Sequence, residues 1–186
     1  MDHICATVMS EAGDPIDGAD FAALSGIRTI LAGLGNAMPL LCIALANSYK
    51  GYANRVIARL VAANVFALDN NISYQVLRLS SVTDVVGGTW VTADADSAVV
   101  YNATATSLSS LGTTISVSFV AGGATGPPGQ GSFIGSSATN SGSAVKRNFI
   151  GQDIDGYNSE VYAIYVKTLS INATNIIGSI QWRELF

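Results

Sequence analysis

The chain contains 186 residues, of which 49% are apolar and 12% are charged, and its net charge is −4 at pH 7. A nucleic-acid-binding surface would cluster Lys and Arg, whereas the nine basic residues here are scattered, so we expect no nucleic-acid partner. The charged share is about half of the ~25% usual in soluble domains. We therefore expect copies of the chain or other proteins to cover much of its surface. A small-polar surface of Ser, Thr and Asn is the alternative.

The length of the chain fits one domain, or one domain with an arm. We predict an N-terminal arm with the first strands over residues 1–36 and a β-sandwich domain over residues 37–186. The most apolar window, residues 38–46, is too short to cross a bilayer and contains Pro39. We therefore expect no membrane partner.

Residues 52–68 are compatible with two kinds of secondary structure. Ile57, Leu60 and Val65 have helical spacing, and the Ala and Leu content favours a helix. Alternate positions from Val56 onward are also apolar, as in a strand. Periodicity therefore does not decide between the two, and propensity alone favours a helix.

The rest of the chain has the pattern of short strands separated by turns. Residue types and alternation predict strands over 72–79, 89–91, 97–101, 113–120, 160–169 and 176–184. In 113–120, one predicted face carries Ile115, Val117 and Phe119; in 176–184, one face carries Ile176, Gly178, Ile180 and Trp182.

Residues 172–175 form a turn signal between the last two predicted strands, so we expect those strands to be a hairpin or sheet neighbours. Many short strands at this spacing predict an all-β fold, an antiparallel β-sandwich or jelly roll.

A Gly, Pro and Ser-rich loop is predicted over residues 122–144. Its first part contains Pro127 and Pro128 among several Gly residues, which cannot hold a regular ladder. A connection of this length is unusual in a compact domain. We expect it to be either mobile or held by a partner.

The sequence offers little for catalysis or metal binding. His3 is the only histidine and stands near the start of the chain, so a nucleophilic triad would have to be built around it. Three acidic clusters, at 14–18, 94–96 and 153–158, lack the bidentate Glu of a calcium loop and are typical of turns. We predict a protein that is not an enzyme and that has no catalytic residues, cofactor or metal.

Two cysteines, Cys5 and Cys42, each stand in an apolar run. This pattern favours two buried, reduced thiols. Whether they form a disulfide is left undecided, because the sequence does not give the distance between them.

Several short motifs resemble those of tailed-bacteriophage virion proteins. The longest is Gly-Gly-Thr-Trp-Val-Thr-Ala-Asp-Ala-Asp-Ser-Ala-Val-Val-Tyr-Asn-Ala-Thr-Ala-Thr at 87–106. Others are Met-Ser-Glu-Ala-Gly at 9–13, Pro-Leu-Leu-Cys-Ile at 39–43, and the closing Trp-Arg-Glu at 182–184. Together they cover nearly the whole chain. Ala44 stands where that family tends to have Arg.

The resemblance implies strands over 38–47 and 54–66, in place of the helix that propensity favours. It also implies a β-sandwich located in the virion, most simply a capsid decoration or cement protein. Its partners would be the major capsid protein and copies of itself, as a homotrimer. The alternatives are a tail or baseplate fibre module and a carbohydrate-binding β-sandwich.

The predicted contact regions are residues 1–36, the Gly/Pro loop and the closing strand. Within them we predict six interface residues: Phe21, Leu24, Pro127, Pro128, Trp182 and Phe186. Apolar side chains at the ends of a weakly charged chain are typical of protein contacts.

Overall fold

The computed structural model describes residues 18–122, 149–153 and 158–185. Within these ranges the chain forms 15 strands and one 3₁₀ turn at Val82–Asp84, without an α-helix. The strands are β1 (Gly18–Leu24), β2 (Arg28–Ile30), β3 (Ala37–Leu45), β4 (Ser48–Tyr49), β5 (Tyr52–Ala53), β6 (Ile57–Ala67), β7 (Ile72–Leu79), β8 (Val85–Val86), β9 (Val91–Thr92), β10 (Val99–Asn102), β11 (Ser107–Leu108), β12 (Thr113–Val120), β13 (Phe149–Ile150), β14 (Val161–Thr168) and β15 (Thr174–Leu185).

Two antiparallel sheets pack face to face. One has the strand order β1-β15-β6-β13, with β2 also beside β15, and the other has the order β12-β7-β14-β3-β10-β9. The main core cluster takes buried residues from both, including Trp182 and Val65 from the first and Ile43 and Ile164 from the second. The predicted all-β antiparallel sandwich is therefore confirmed, while the jelly-roll arrangement stays a prediction.

The ambiguous segment is a strand. β6 pairs with β15 along nearly its whole length and sends Ala58, Leu60 and Val65 into the core. One extra residue, Val61, is accommodated where the register shifts opposite Gln181 and Trp182. Pairing with a neighbouring strand and burial outweigh the helical propensity of Ala and Leu. The strands implied by the virion-protein resemblance, including β3, are confirmed.

The hairpin expected near the C-terminus is wrong. β14 lies in the six-stranded sheet between β7 and β3, whereas β15 lies in the other sheet between β1 and β6. The connection between them therefore crosses from one sheet to the other. The chain bends at 170–172, whereas Thr174 and Asn175 of the predicted turn already belong to β15. Turn residues also carry no information on which strand becomes the hydrogen-bonding neighbour.

Strand β12 has the predicted bounds but not the predicted faces. A bulge between Thr114 and Ser116 separates Ile115, which packs against the core, from the two apolar residues that follow. Val117 and Phe119 face outward, opposite Gln75 and Ser73 of β7, while the intervening serines face the core. The alternation in the sequence could not show this, because a bulge shifts every later side chain to the other face.

A second, smaller core lies on the outer face of the six-stranded sheet. It contains Cys42, Leu77 and Ala163 from the sheet, covered by residues of the 82–108 segment such as Val85 and Ala105. The short pair β8–β11 belongs to this cover. The six-stranded sheet is therefore buried on both faces over part of its area, which explains why β3 and β14 are almost continuously apolar.

Glu184 joins the two sheets at one end of the sandwich. Its carboxylate is fully buried and accepts hydrogen bonds from Ser97 Oγ at 2.5 Å, Trp182 Nε1 at 2.8 Å and the Ala98 backbone N–H at 2.8 Å. Glu184 belongs to β15, whereas Ser97 and Ala98 lead into β10 of the opposite sheet. A buried carboxylate is stable in a fold when hydrogen bonds of this kind replace its hydration.

We predict that Glu184→Ala destabilises the protein by roughly 3 kcal/mol or more, since three buried donors lose their acceptor. Glu184→Gln should cost less, because the amide oxygen still accepts. The matched control is Gln181→Ala, an exposed position on the same strand, which should change stability by less than about 0.5 kcal/mol. Urea unfolding measures all three; a Glu184→Ala variant as stable as the control would contradict the assignment.

Candidate protein–protein interface

Three of the predicted interface residues lie together on two adjacent strands. Phe21 of β1 is paired with Trp182 of β15, and their rings stack with centroids 6.1 Å apart and an interplanar angle of 21°. Leu24, opposite Ser179 on the same strand pair, is 64% exposed. Pro127, Pro128 and Phe186 lie outside the described residues.

Trp182 has no accessible surface in this structure. One side of its ring stacks on Phe21, and its indole N–H is bonded to Glu184. It is therefore a core anchor of the closing strand, and at this edge the surface open to a partner comes from Leu24 and part of Phe21. The interface role predicted for the six residues stays a prediction.

A larger apolar surface lies at one end of the sandwich. Its part in the β2–β3 connection falls within the predicted contact region 1–36, whereas its part in the β14–β15 connection was not predicted. Leu31, Leu34, Leu169 and Ile171 are 74%, 73%, 42% and 75% exposed. They belong to the β2–β3 and β14–β15 connections, which are joined by backbone hydrogen bonds from Gly35 N to Thr168 O and from Thr168 N to Asn36 O, at 3.2 and 2.9 Å. We call these four residues the loop-end patch.

The turn that carries Leu31 and Leu34 has a defined conformation. Gly33 and Gly35 have φ angles of +131° and +88°, which side-chain-bearing residues rarely adopt. Asn36 Nδ2 donates to the carbonyl of Ala32 at 2.8 Å and closes the turn. The two leucines are therefore held outward by a fixed loop, so a partner would not have to order them. Leucines inside a Gly-rich turn were the signal for this surface, because turns are usually polar.

The opposite end of the sandwich has an open cleft of about 460 Å³. Its wall is mainly apolar, and the polar residues Asn54 and Arg55 also line it. The Asn54 amide is already bonded to the carbonyls of Ala46 and Ala98, both at 2.9 Å. This amide therefore supports the fold and is not free for a ligand.

The predicted acidic clusters are only partly within the described residues. In 94–96, Asp94 Oδ1 accepts the backbone N–H of Asp96 at 3.0 Å, which is turn geometry, and Asp96 lies 3.6 Å from Lys50 Nζ. Across the described ranges, no group of three or more His, Cys, Asp or Glu side chains could hold a metal ion. His3, residues 14–17 of the first cluster and most of the 153–158 cluster lie outside them.

Cys42 is a free, buried thiol in the smaller core. Burial raises the pKa of Cys42 to about 12, and the nearby Arg28 guanidinium opposes this only in part. Arg28 itself donates to the carbonyls of Pro39 at 2.7 Å and Ala105 at 2.8 Å, tying β2 to the β3 strand and to the cover of the smaller core. Cys5 lies outside the described residues.

Comparison of the chain with protein-family models, with curated proteins and with solved structures found no match. Within the described ranges, no helix is long and apolar enough to cross a membrane. Function must therefore be inferred from the surfaces described above.

We predict that Cys42 in a Cys5→Ser background reacts with a thiol reagent near neutral pH at a rate limited by protein opening, because burial keeps its pKa at about 12. The same shift makes stability fall as pH rises from the unfolded value near 9 towards 12, since the unfolded thiol ionises first. Absorbance-monitored thiol titration measures the labelling rate, with the urea-unfolded protein as control. Rapid labelling of the folded protein would contradict it.

Proposed function

We propose that this protein is a structural component of a bacteriophage virion that decorates the capsid and stabilises it through protein–protein contacts. The observation that carries the proposal is the loop-end patch. Four large apolar side chains on two connected loops form an exposed surface of the kind that marks protein contacts in soluble proteins.

The geometry of the sequence motifs supports the same proposal. The motif at 87–106 and the closing Trp-Arg-Glu are about 80 residues apart in sequence, yet Glu184 bonds directly to Ser97 and Ala98. Within the longer motif, Asn102 Nδ2 donates to the Gly87 carbonyl and Oδ1 accepts from Thr104 N. These two motifs are therefore linked parts of one structural unit, as is expected if the resemblance reflects a shared fold.

The charge distribution also fits a contact role. Near the loop-end patch, the exposed Lys167 lies next to Gly35, and Asp69 lines the same small pocket as Leu169. An apolar patch with charged groups beside it is typical of protein contacts, which have an apolar centre and a polar rim.

We predict that the protein binds to capsids that lack it, and that Leu34→Glu with Ile171→Glu lowers this binding by about tenfold or more, since ~1.4 kcal/mol corresponds to a factor of ten. Two exposed apolar side chains, which the capsid contact would bury, would be replaced by carboxylates that must lose water on binding. Co-sedimentation of purified protein with stripped particles measures it. The control is Leu111→Glu, an exposed leucine on the β11–β12 connection.

The number of copies in purified virions decides between locations. Quantitative mass spectrometry should give a copy number that follows the capsid lattice. A few copies per particle would support the tail or baseplate fibre alternative, and absence from particles would refute a virion role. Equal capsid binding by the double variant and the Leu111→Glu control would remove the loop-end patch from the contact.

A further inference from the structure

The terminal strands of the two sheets are protected unequally. β9 and β13 are two residues long, and β1 carries Asp20, which pairs with Arg183. Short edge strands, and charged side chains on edge strands, hinder the pairing of that strand with a strand of another molecule. β12 has neither: it is eight residues long, and its sequence Thr-Thr-Ile-Ser-Val-Ser-Phe-Val contains no charge and no proline.

The side chains of β12 also face opposite to the usual arrangement. Ser116 and Ser118 stand opposite Val76 and Tyr74, which belong to the core, and Ser118 hydrogen-bonds the Tyr74 side chain. Val117 and Phe119 point away from the core and are 53% and 69% exposed. An edge strand with its small polar side inward and its apolar side outward has a surface that the described part of the chain leaves unburied.

We propose that β12 is a contact through which two copies of this chain pair edge to edge, antiparallel, about a two-fold axis. This goes beyond the proposed function, which names no self-contact, and a two-fold pair differs from the homotrimer that the virion-protein resemblance implies. The chemistry of the strand selects a second copy as the occupant. Two-fold pairing places identical strands side by side, so any charge would meet a like charge, and β12 has none.

The exposed side chains fix the expected register. Val117 and Phe119 flank Ser118 on the same face. An axis at Ser118 places Val117 of each copy opposite Phe119 of the other, so that two apolar cross-strand pairs form. It also places the two Ser118 residues opposite each other. The six-stranded sheets of the two copies would then be continuous across the axis.

Sedimentation of the purified full chain over a concentration series tests the pairing. We expect a reversible dimer, and we expect Val117→Lys to raise its dissociation constant by about tenfold or more, since the apolar pair with Phe119 of the other copy is then replaced by a charge against an aromatic ring on both sides of the axis. Ile171→Lys is the control, an exposed apolar residue outside the strand, and should leave the dimer unchanged. A monomer at every concentration, a trimer, or equal effects of the two variants would overturn the proposal.

Disulfide trapping tests the register without relying on a destabilising change. In a Cys5→Ser background, Val117→Cys and Phe119→Cys should form a cross-linked dimer when mixed and oxidised, but little when each is oxidised alone. Cross-linking of each variant alone to the same extent as the mixture would overturn the Ser118 axis. Unchanged thermal unfolding confirms that both variants fold. These measurements use isolated protein, so they can succeed or fail independently of the virion copy number.

Discussion

The sandwich depends on one buried carboxylate at the end of its longest strand. Glu184 is fully buried and its three hydrogen-bond donors are neutral. Two of these donors belong to the segment that enters the opposite sheet, and the third is the indole of Trp182. The carboxylate therefore fixes the distance between the sheets and the orientation of the largest core side chain together. Apolar packing alone is not directional, whereas these bonds select one arrangement of the two sheets.

This constraint explains the composition of the closing strand. In β15 the residues Ile176, Ile180, Trp182 and Glu184 alternate inward, and each is fully buried. Gly178 belongs to the same row because a Cβ there would lie 2.7 Å from Leu40 Cδ2 of the opposing sheet. β1, β2 and β6 all pair with β15. Because three strands pair with β15, its inward-facing side must be filled with buried side chains along the whole strand, which ends at Leu185.

Sequence patterns predicted those parts of the fold that depend on local chemistry. The alternation in β15 and the bounds of β7 and β12 follow from residue type, and the apolar row of β15 faces inward as predicted. Patterns did not predict which strands pair, because β14 and β15 contact different partners despite the turn between them. They also missed the bulge that turns Val117 and Phe119 outward. Pairing and register are set by contacts distant in sequence, which a local window does not contain.

The candidate interface was likewise only partly predictable from local sequence patterns. Trp182 was identified as a large aromatic residue near the end of the chain. Only the structure shows that its ring stacks on Phe21 and its indole N–H donates to Glu184 within the core. Leu34 and Ile171 have no periodic pattern, so no strand or helix rule selects them. They are brought to one surface because the Gly35–Thr168 and Asn36–Thr168 bonds join two loops more than 130 residues apart in sequence.

The low charge of the chain has a structural explanation once these contacts are known. Arg28 is directed to backbone carbonyls, Glu184 is enclosed, and Asp20 is paired with Arg183 within the chain. The exposed positions that stand out are then apolar, at the loop-end patch and on β12. Salt screens contacts between charges but not the burial of apolar area. The contacts proposed for these surfaces would therefore depend on shape and apolar area, which suits contacts that must persist when ionic conditions change.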